Sequence, residues 1–330
     1  MICIIGGGPS CISLLCCMIK NNIYHKLKEK IIIFEKSNTF GSGALKNYFI
    51  RSNSSLSSFM EIVPDYILDK LSEKNKNLIT AIGYDTVYLP ILGDIFEEIG
   101  YHFQQELKVF LNSDITKIEK KSVYVNKLVL RFDKIISCIG GHFIKDNNIS
   151  SYDIISGTLK IKDFYEKKHI LILGASHTAW SVAWKLITNR YKGKITFFVR
   201  SKVKIYCVNK LEAKQINFTD FDDMDICPDT KSIFRFAGLR GDSKKLWMNK
   251  EKYNIQIKSM KPEDVDCVIK AYGFERKKMD GDEYTLKFGF MSGIYEKSGE
   301  PSFSKSKDGI WIYGNTQGNK FLKDNFMEFF

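Results

Sequence analysis

Ile2-Cys3-Ile4-Ile5-Gly6-Gly7-Gly8-Pro9-Ser10-Cys11 opens the chain behind Met1, and Ile170-Leu171-Ile172-Leu173-Gly174-Ala175-Ser176-His177-Thr178-Ala179 repeats its plan halfway along. Each stretch is an apolar run, then small residues with glycine, then an apolar helix pattern: Ile12 to Ile19 in the first copy, and on through Ile187 in the second. A strand that turns on glycines into a helix leaves free backbone N–H groups at the positive end of the helix dipole, which is a site for a pyrophosphate. Two such turns in one chain imply two dinucleotides, and the usual reason for that pairing is electron transfer from one to the other.

The context of each turn sharpens the reading. In the first copy Gly6 and Gly8 fit a G-x-G-x-x-G pattern, with Cys11 at the third position, where Gly or Ala is usual. Cysteine is small, so the helix still packs closely on the strand. Pro9 and Ser10 carry the chain into the helix and count with the glycines as cofactor-binding. Ile31-Ile32-Ile33-Phe34 reads as the second parallel strand and ends in Glu35, where an acid holds the adenosine ribose hydroxyls, with Lys36 beside it. A plain βαβ crossover with a surface glutamate is the alternative; strand, turn, helix, strand and acid in order favour the nucleotide. The second copy is looser. Gly174, Ser176 and Ala179 stand where three glycines would, with His177 and Thr178 inside the turn. Its next strand, Ile195-Thr196-Phe197-Phe198-Val199, ends in Arg200, followed by Lys202. An arginine there favours a 2′-phosphate over a bare ribose diol, so NADPH is expected over NADH. A surface Arg and Lys in a basic protein is the competing explanation.

Length and composition agree. The 330 residues suit two domains that each bury a core, and 44% hydrophobic residues exclude disorder. The first residues already read as a strand, so no signal peptide is expected, and Cys11 to Ile19 is too short an apolar stretch to span a bilayer. Eight cysteines without a C-x-x-C spacing look like reduced thiols, which places the protein in the cytoplasm. Five scattered histidines offer no metal-ligand spacing, so no metal site is expected. The net charge of +12 is spread along the chain, and the clusters Lys117 to Lys121 and Lys244 to Lys252 are interrupted by acids. No nucleic-acid or membrane partner follows; the basic balance serves instead to gather anionic ligands. Nothing in the sequence sets an oligomeric state.

Over nearly its whole length the chain resembles flavoproteins with two dinucleotide-binding domains, and within them the flavin-containing and N-hydroxylating monooxygenases. That resemblance implies an α/β fold of two Rossmann-like domains, the NAD(P) domain inserted into the FAD domain. The expected division is 1–158 for the first part of the FAD domain, 159–274 for the NAD(P)H domain and 275–330 for the returning FAD segment. In these families each domain closes on a short strand and a glycine turn. Phe132-Asp133-Lys134-Ile135-Ile136-Ser137-Cys138-Ile139-Gly140-Gly141 resembles the first, and Val265-Asp266-Cys267-Val268-Ile269-Lys270-Ala271-Tyr272-Gly273-Phe274 the second. Gly140 and Gly273 are carried over as cofactor-binding. The last FAD element resembles Gly309-Ile310-Trp311-Ile312-Tyr313-Gly314-Asn315, with Gly314 and Asn315 as contacts; Asn315 stands where the family has Asp and drops the charge.

Three further stretches carry the resemblance or depart from it. Phe40-Gly41-Ser42-Gly43-Ala44 supplies a loop that would cover the cofactor, with Gly43 in contact. Tyr48 to Pro64 resembles a stretch of the flavin-containing monooxygenases, which implies Asn53 near the flavin as an active-site amide; a polar serine-rich loop is the plainer reading. Asp146 to Lys162 is polar and reads as a linker. Ile155, Gly157, Ile161 and Tyr165 align there with a fingerprint whose histidine is missing, which counts against the oxygenation chemistry of the flavin-containing and Baeyer–Villiger classes and leaves cofactor binding intact. Cys16 and Cys17 read as core, not as a redox pair, and Trp180 with Trp184 as packing. The expected activity is an FAD-dependent NADPH oxidoreductase, monooxygenase-like, acting on a small-molecule substrate. A flavin-dependent reductase of another acceptor and a catalytically weakened flavin-binding scaffold remain as alternatives; a disulfide reductase would need the C-x-x-C that is absent.

Overall fold

The computed structural model describes residues 1–143, 149–235, 237–276, 279–281, 285–289, 304–306 and 309–313. Two sheets organise them. The first has seven strands in the order Ser304–Ser306, Gly309–Tyr313, Leu286–Gly289, Lys134–Ser137, Ile2–Ile5, Ile31–Phe34 and Lys108–Phe110. All its pairings are parallel except the outermost, Ser304–Ser306 on Gly309–Tyr313. The second sheet is wholly parallel, in the order Ile149–Ser150, Cys267–Lys270, His169–Leu173, Lys194–Phe198 and Ile255–Lys258. The chain leaves the first sheet after Lys134–Ser137, builds the second, and returns with Leu286–Gly289. This is the inserted two-Rossmann architecture that the sequence implies.

The strands are apolar on both faces because both faces are covered. Ile2, Ile4, Ile31 and Ile33 point into one core with the helices Pro9–Lys20 and Leu89–Gln104. Cys3, Ile5 and Phe34 point the other way, onto the antiparallel strands Ile115–Glu119 and Ser122–Val125. Each fully buried isoleucine or phenylalanine contributes roughly 1.5–3 kcal/mol. The second sheet has its own core, in which the Trp180 ring stacks on Phe197 with centroids 4.3 Å apart. Cys16 and Cys17 are buried and form no disulfide.

The stretch 146–162 differs from a linker over its described part. It forms the strand Ile149–Ser150 and the helix Ser151–Ile155, with Ile154 and Ile155 in the second core. Ser150 and Asp153 make a capping box, so a polar-looking sequence is a helix start with two isoleucines to bury. No described helix is long and apolar enough to cross a membrane.

Candidate functional site

The two glycine turns match bond for bond. The Gly6 N–H donates to the Phe34 carbonyl at 2.8 Å, and the Cys138 N–H to the Ile5 carbonyl at 2.7 Å. In the second unit the Gly174 N–H donates to Phe198 at 3.0 Å and the Ala271 N–H to Leu173 at 3.0 Å. A Cβ on Gly6 would lie 2.9 Å from the Cys138 oxygen, and one on Gly174 2.7 Å from the Ala271 oxygen; φ is +91° and +111°. A side chain fits neither. Even the acids before the closing strands correspond: Asp133 accepts from the Met1 ammonium, and Asp266 from the backbone N–H groups of Lys168 and His169 at 2.8 Å each.

Both turns lead into helices with bare starts. Gly8 and Ser176 are the N-caps of Pro9–Lys20 and His177–Thr188, neither gives a side-chain cap, and neither helix has an acid in its first turn. Ser72 caps Glu73–Ile82 and Asn209 caps Lys210–Gln215, each followed by an acid, whereas Leu89–Gln104 shares the bare start but has no glycine turn before it. Two positive helix ends without a compensating side chain suit a phosphate. Beside them, Gly140 and Gly273 take φ +67° and +88°, and among the described residues nothing lies within 4 Å of where a Cβ would stand. These backbones fit a dinucleotide at each turn.

Around the first turn the expected residues gather. The Glu35 carboxylate accepts from the Gly7 N–H and from the Ser37 N–H, the latter at 2.7 Å. A Cβ on Gly8 would stand 3.2 Å from the Gly43 Cα, and one on Gly43 2.8 Å from Pro9 Cδ, so the loop from Phe40 to Ala44 lies directly on the turn. Ser10 is buried in the helix start. Lys36 turns outward to Asp114 at 2.9 Å. At the second turn Ser176 is exposed and Thr178 half-buried. Arg200 is exposed, whereas Lys202 is paired with Asp225 at 2.8 Å and sits over the Phe234 ring. Gly314 and Asn315 lie outside the described residues.

Asn53 lies on the strand Arg51–Ser55, where the ladder to Thr86–Tyr88 loses register: Arg51 faces Tyr88 but Ser55 faces Thr86. A bulge of this kind re-aims a side chain. Ser52 repairs the gap, its hydroxyl donating to the Ser54 carbonyl at 2.6 Å and accepting from the Val87 N–H at 3.0 Å. The Asn53 Oδ1 atom is left buried with no partner among the described residues. This strand meets the second unit: the His177 Nε2 donates to the Arg51 carbonyl at 2.8 Å, and the Arg51 Nε lies 3.4 Å from Asp242. Sequence reasoning named Asn53 and His177 separately. It missed Arg51 and Asp242, which join the strand to the second unit, and Ser52, which bridges the bulge, because a cross-strand bulge and a contact 126 residues apart leave no local periodicity.

No defined protein family matches the sequence. The chain is 21% identical over 420 aligned residues to the CMP-5'-(3-aminopropyl)phosphonate hydroxylase of Streptomyces rubellomurinus, covering 97% of this chain and 96% of that protein. Among solved structures, the FAD-bound cadaverine monooxygenase of Erwinia amylovora aligns with a TM-score of 0.58 at 10% identity, over 98% of this chain and 91% of that one. The reduced ornithine hydroxylase of Pseudomonas aeruginosa gives 0.57 at 13% identity, over 98% and 94%. The Kutzneria sp. 744 ornithine N-hydroxylase, with reduced FAD, NADP+ and L-ornithine, gives 0.52 at 14% identity, over 83% and 80%. At these identities the likeness is one of fold: the chain shares the α/β architecture of these hydroxylases and monooxygenases.

Proposed function

We propose that this protein is an FAD-dependent, NADPH-consuming monooxygenase of a small metabolite, with FAD on the first unit, expected over residues 1–158 and 275–330, and NADPH on the second, expected over 159–274, to whose sheet and core the strand Ile149–Ser150 and the helix Ser151–Ile155 add themselves. The observation that carries the reading is the duplicated turn, alike in hydrogen bonds, in glycine conformation and in its bare helix start. Flavin supplies hydride acceptance from the nicotinamide and delivery of electrons to oxygen; the chain supplies placement and electrostatics. Gly6, Gly8, Pro9 and Ser10 would seat the FAD pyrophosphate, with Glu35 as the acceptor for ribose hydroxyls and Gly43 and Gly140 lining the approach. Gly174, Ser176, His177, Thr178 and Gly273 would form the NADPH turn, and Arg200 the 2′-phosphate contact, since Lys202 is already neutralised by Asp225. Asn53 is the active-site amide of this reading, its buried Oδ1 waiting for a donor. The proteins of like fold named above act on ornithine and cadaverine, and the curated relative on an aminopropyl phosphonate, so a primary amine is the substrate class that fits best.

Purified protein should carry a flavin spectrum or acquire one with added FAD, and anaerobic NADPH should bleach it. NADPH should bind more tightly than NADH, and Arg200→Ala should narrow that gap by roughly tenfold, the worth of one charge-assisted contact. A protein that takes up no flavin ends the proposal. One that bleaches with NADPH but consumes no oxygen with any amine is a reductase or a scaffold.

A further inference from the structure

His177 opens the second-turn helix, yet its ring serves another element. Nε2 donates to the Arg51 carbonyl at 2.8 Å, while Nδ1 is buried without a partner among the described residues. A carbonyl only accepts, so the imidazole proton sits on Nε2 and the link is a neutral N–H···O=C bond. Other contacts close it into a circuit. The Ser243 hydroxyl donates to the His177 carbonyl at 3.4 Å, the neighbouring Asp242 lies 3.4 Å from Arg51 Nε, and Arg51 Nη1 donates to the Thr86 carbonyl at 2.6 Å. Arg51 begins the strand whose broken register contains Asn53. The first peptide of the nucleotide helix and the Asn53 strand are thus fastened through one side chain.

We propose that His177 is a positioning residue: it fixes the Asn53 strand to the second glycine turn, so that a pyridine dinucleotide bound at the turn sets where Asn53 stands. This rests on the reading that the second turn holds NADPH. A phosphate on the helix start immobilises the peptides of Ser176 and His177, and the imidazole passes that constraint to Arg51. Coupling of this sort needs a physical element that both sites bias, and the His177 ring is that element. The sequence would otherwise place His177 simply among the nucleotide contacts.

Amide hydrogen exchange of the FAD-loaded protein, with and without NADP+, tests the inference, alongside a direct measurement of NADP+ affinity. In the unmodified protein NADP+ should slow exchange over residues 51–55 by roughly fivefold or more, the usual range for coupled sites. His177→Leu keeps the bulk and removes the donor; at an NADP+ concentration that saturates the variant by its own measured affinity, it should lose protection over 51–55. His177→Gln, whose amide N–H can reach the same carbonyl, should restore it. Full protection in His177→Leu overturns the proposal, as does an unmodified protein that binds NADP+ with no change over 51–55. An unmodified protein that binds no NADP+ fails earlier, at the functional reading itself. Exchange in the core strand His169–Leu173 reports folding, and His177→Gln carries the test if the leucine variant does not fold: NADP+ protection over 51–55 supports the inference, and its absence in a variant that binds NADP+ overturns it.

Discussion

Two side chains of the second unit have chemistry that the sequence did not announce. Burial holds the His177 imidazole down to about 4, with the nearby Arg240 charge acting the same way and the Arg51 carbonyl opposing. The unfolded chain takes up this proton near pH 6.5, the folded one only near 4, so between them the unfolded state binds more protons. The stabilisation is therefore complete above about pH 6.5 and is lost as pH falls toward 4, by up to about 3 kcal/mol. Urea unfolding of the protein and of His177→Gln at a series of pH values should give a stability difference that shifts through this window and is flat above it. A difference constant with pH would contradict the assignment. Cys227 is the second case. Burial pushes its thiol up, but the Thr230 hydroxyl and N–H, the Arg235 guanidinium and the Asp229 N–H all hydrogen-bond the sulfur and bring it to about 7. The other seven cysteines are buried. Iodoacetamide at neutral pH should label Cys227 first, and Arg235→Ala should slow that labelling; equal labelling of several thiols would refute it.

At the scale of the turn, glycines divide into those the fold needs and those a ligand would need. Gly6→Ala and Gly174→Ala each put a Cβ within 3 Å of a carbonyl oxygen at positive φ, so each should destabilise its unit by on the order of 2–3 kcal/mol or more. Gly140→Ala and Gly273→Ala meet nothing among the described residues and carry the backbone cost, about 1 kcal/mol. If cofactors approach there, these two should weaken FAD and NADP+ binding respectively, out of proportion to their effect on thermal stability. Loss of stability without loss of binding would make them turn glycines only. The strands, turns and helix starts were readable because each is a local pattern: an apolar run, small residues, an apolar stripe. The closing strands were readable because an acid and a glycine bracket them, and Asp133 and Asp266 do clamp the neighbouring strand ends. The helix Ser151–Ile155 was hidden by polar neighbours. The bulge at Asn53 was hidden because it depends on which residue of Thr86–Tyr88 lies opposite.

For the whole molecule, topology separates the two units in folding. The strands of the second sheet all lie between Ile149 and Lys270, and its core draws mainly on that continuous stretch. The first sheet is not local. Ile2–Ile5 pairs with Lys134–Ser137, and that strand in turn pairs with Leu286–Gly289 after the whole second unit has intervened. Closing so long an intervening segment carries an entropic cost before the pairing returns anything, which slows such contacts. On refolding from denaturant, pulsed hydrogen exchange should find His169–Leu173 and Lys194–Phe198 protected before Leu286–Gly289 and Gly309–Tyr313. FAD present during refolding should leave the early phase unchanged and stabilise the product of the late one, because its proposed turn belongs to the sheet completed last. The seam made by Arg51, His177 and Asp242 can form only once both units exist, so exchange at residues 51–55 should follow the late phase. Simultaneous protection of both sheets would show that the seam, not the sheets, is the cooperative unit.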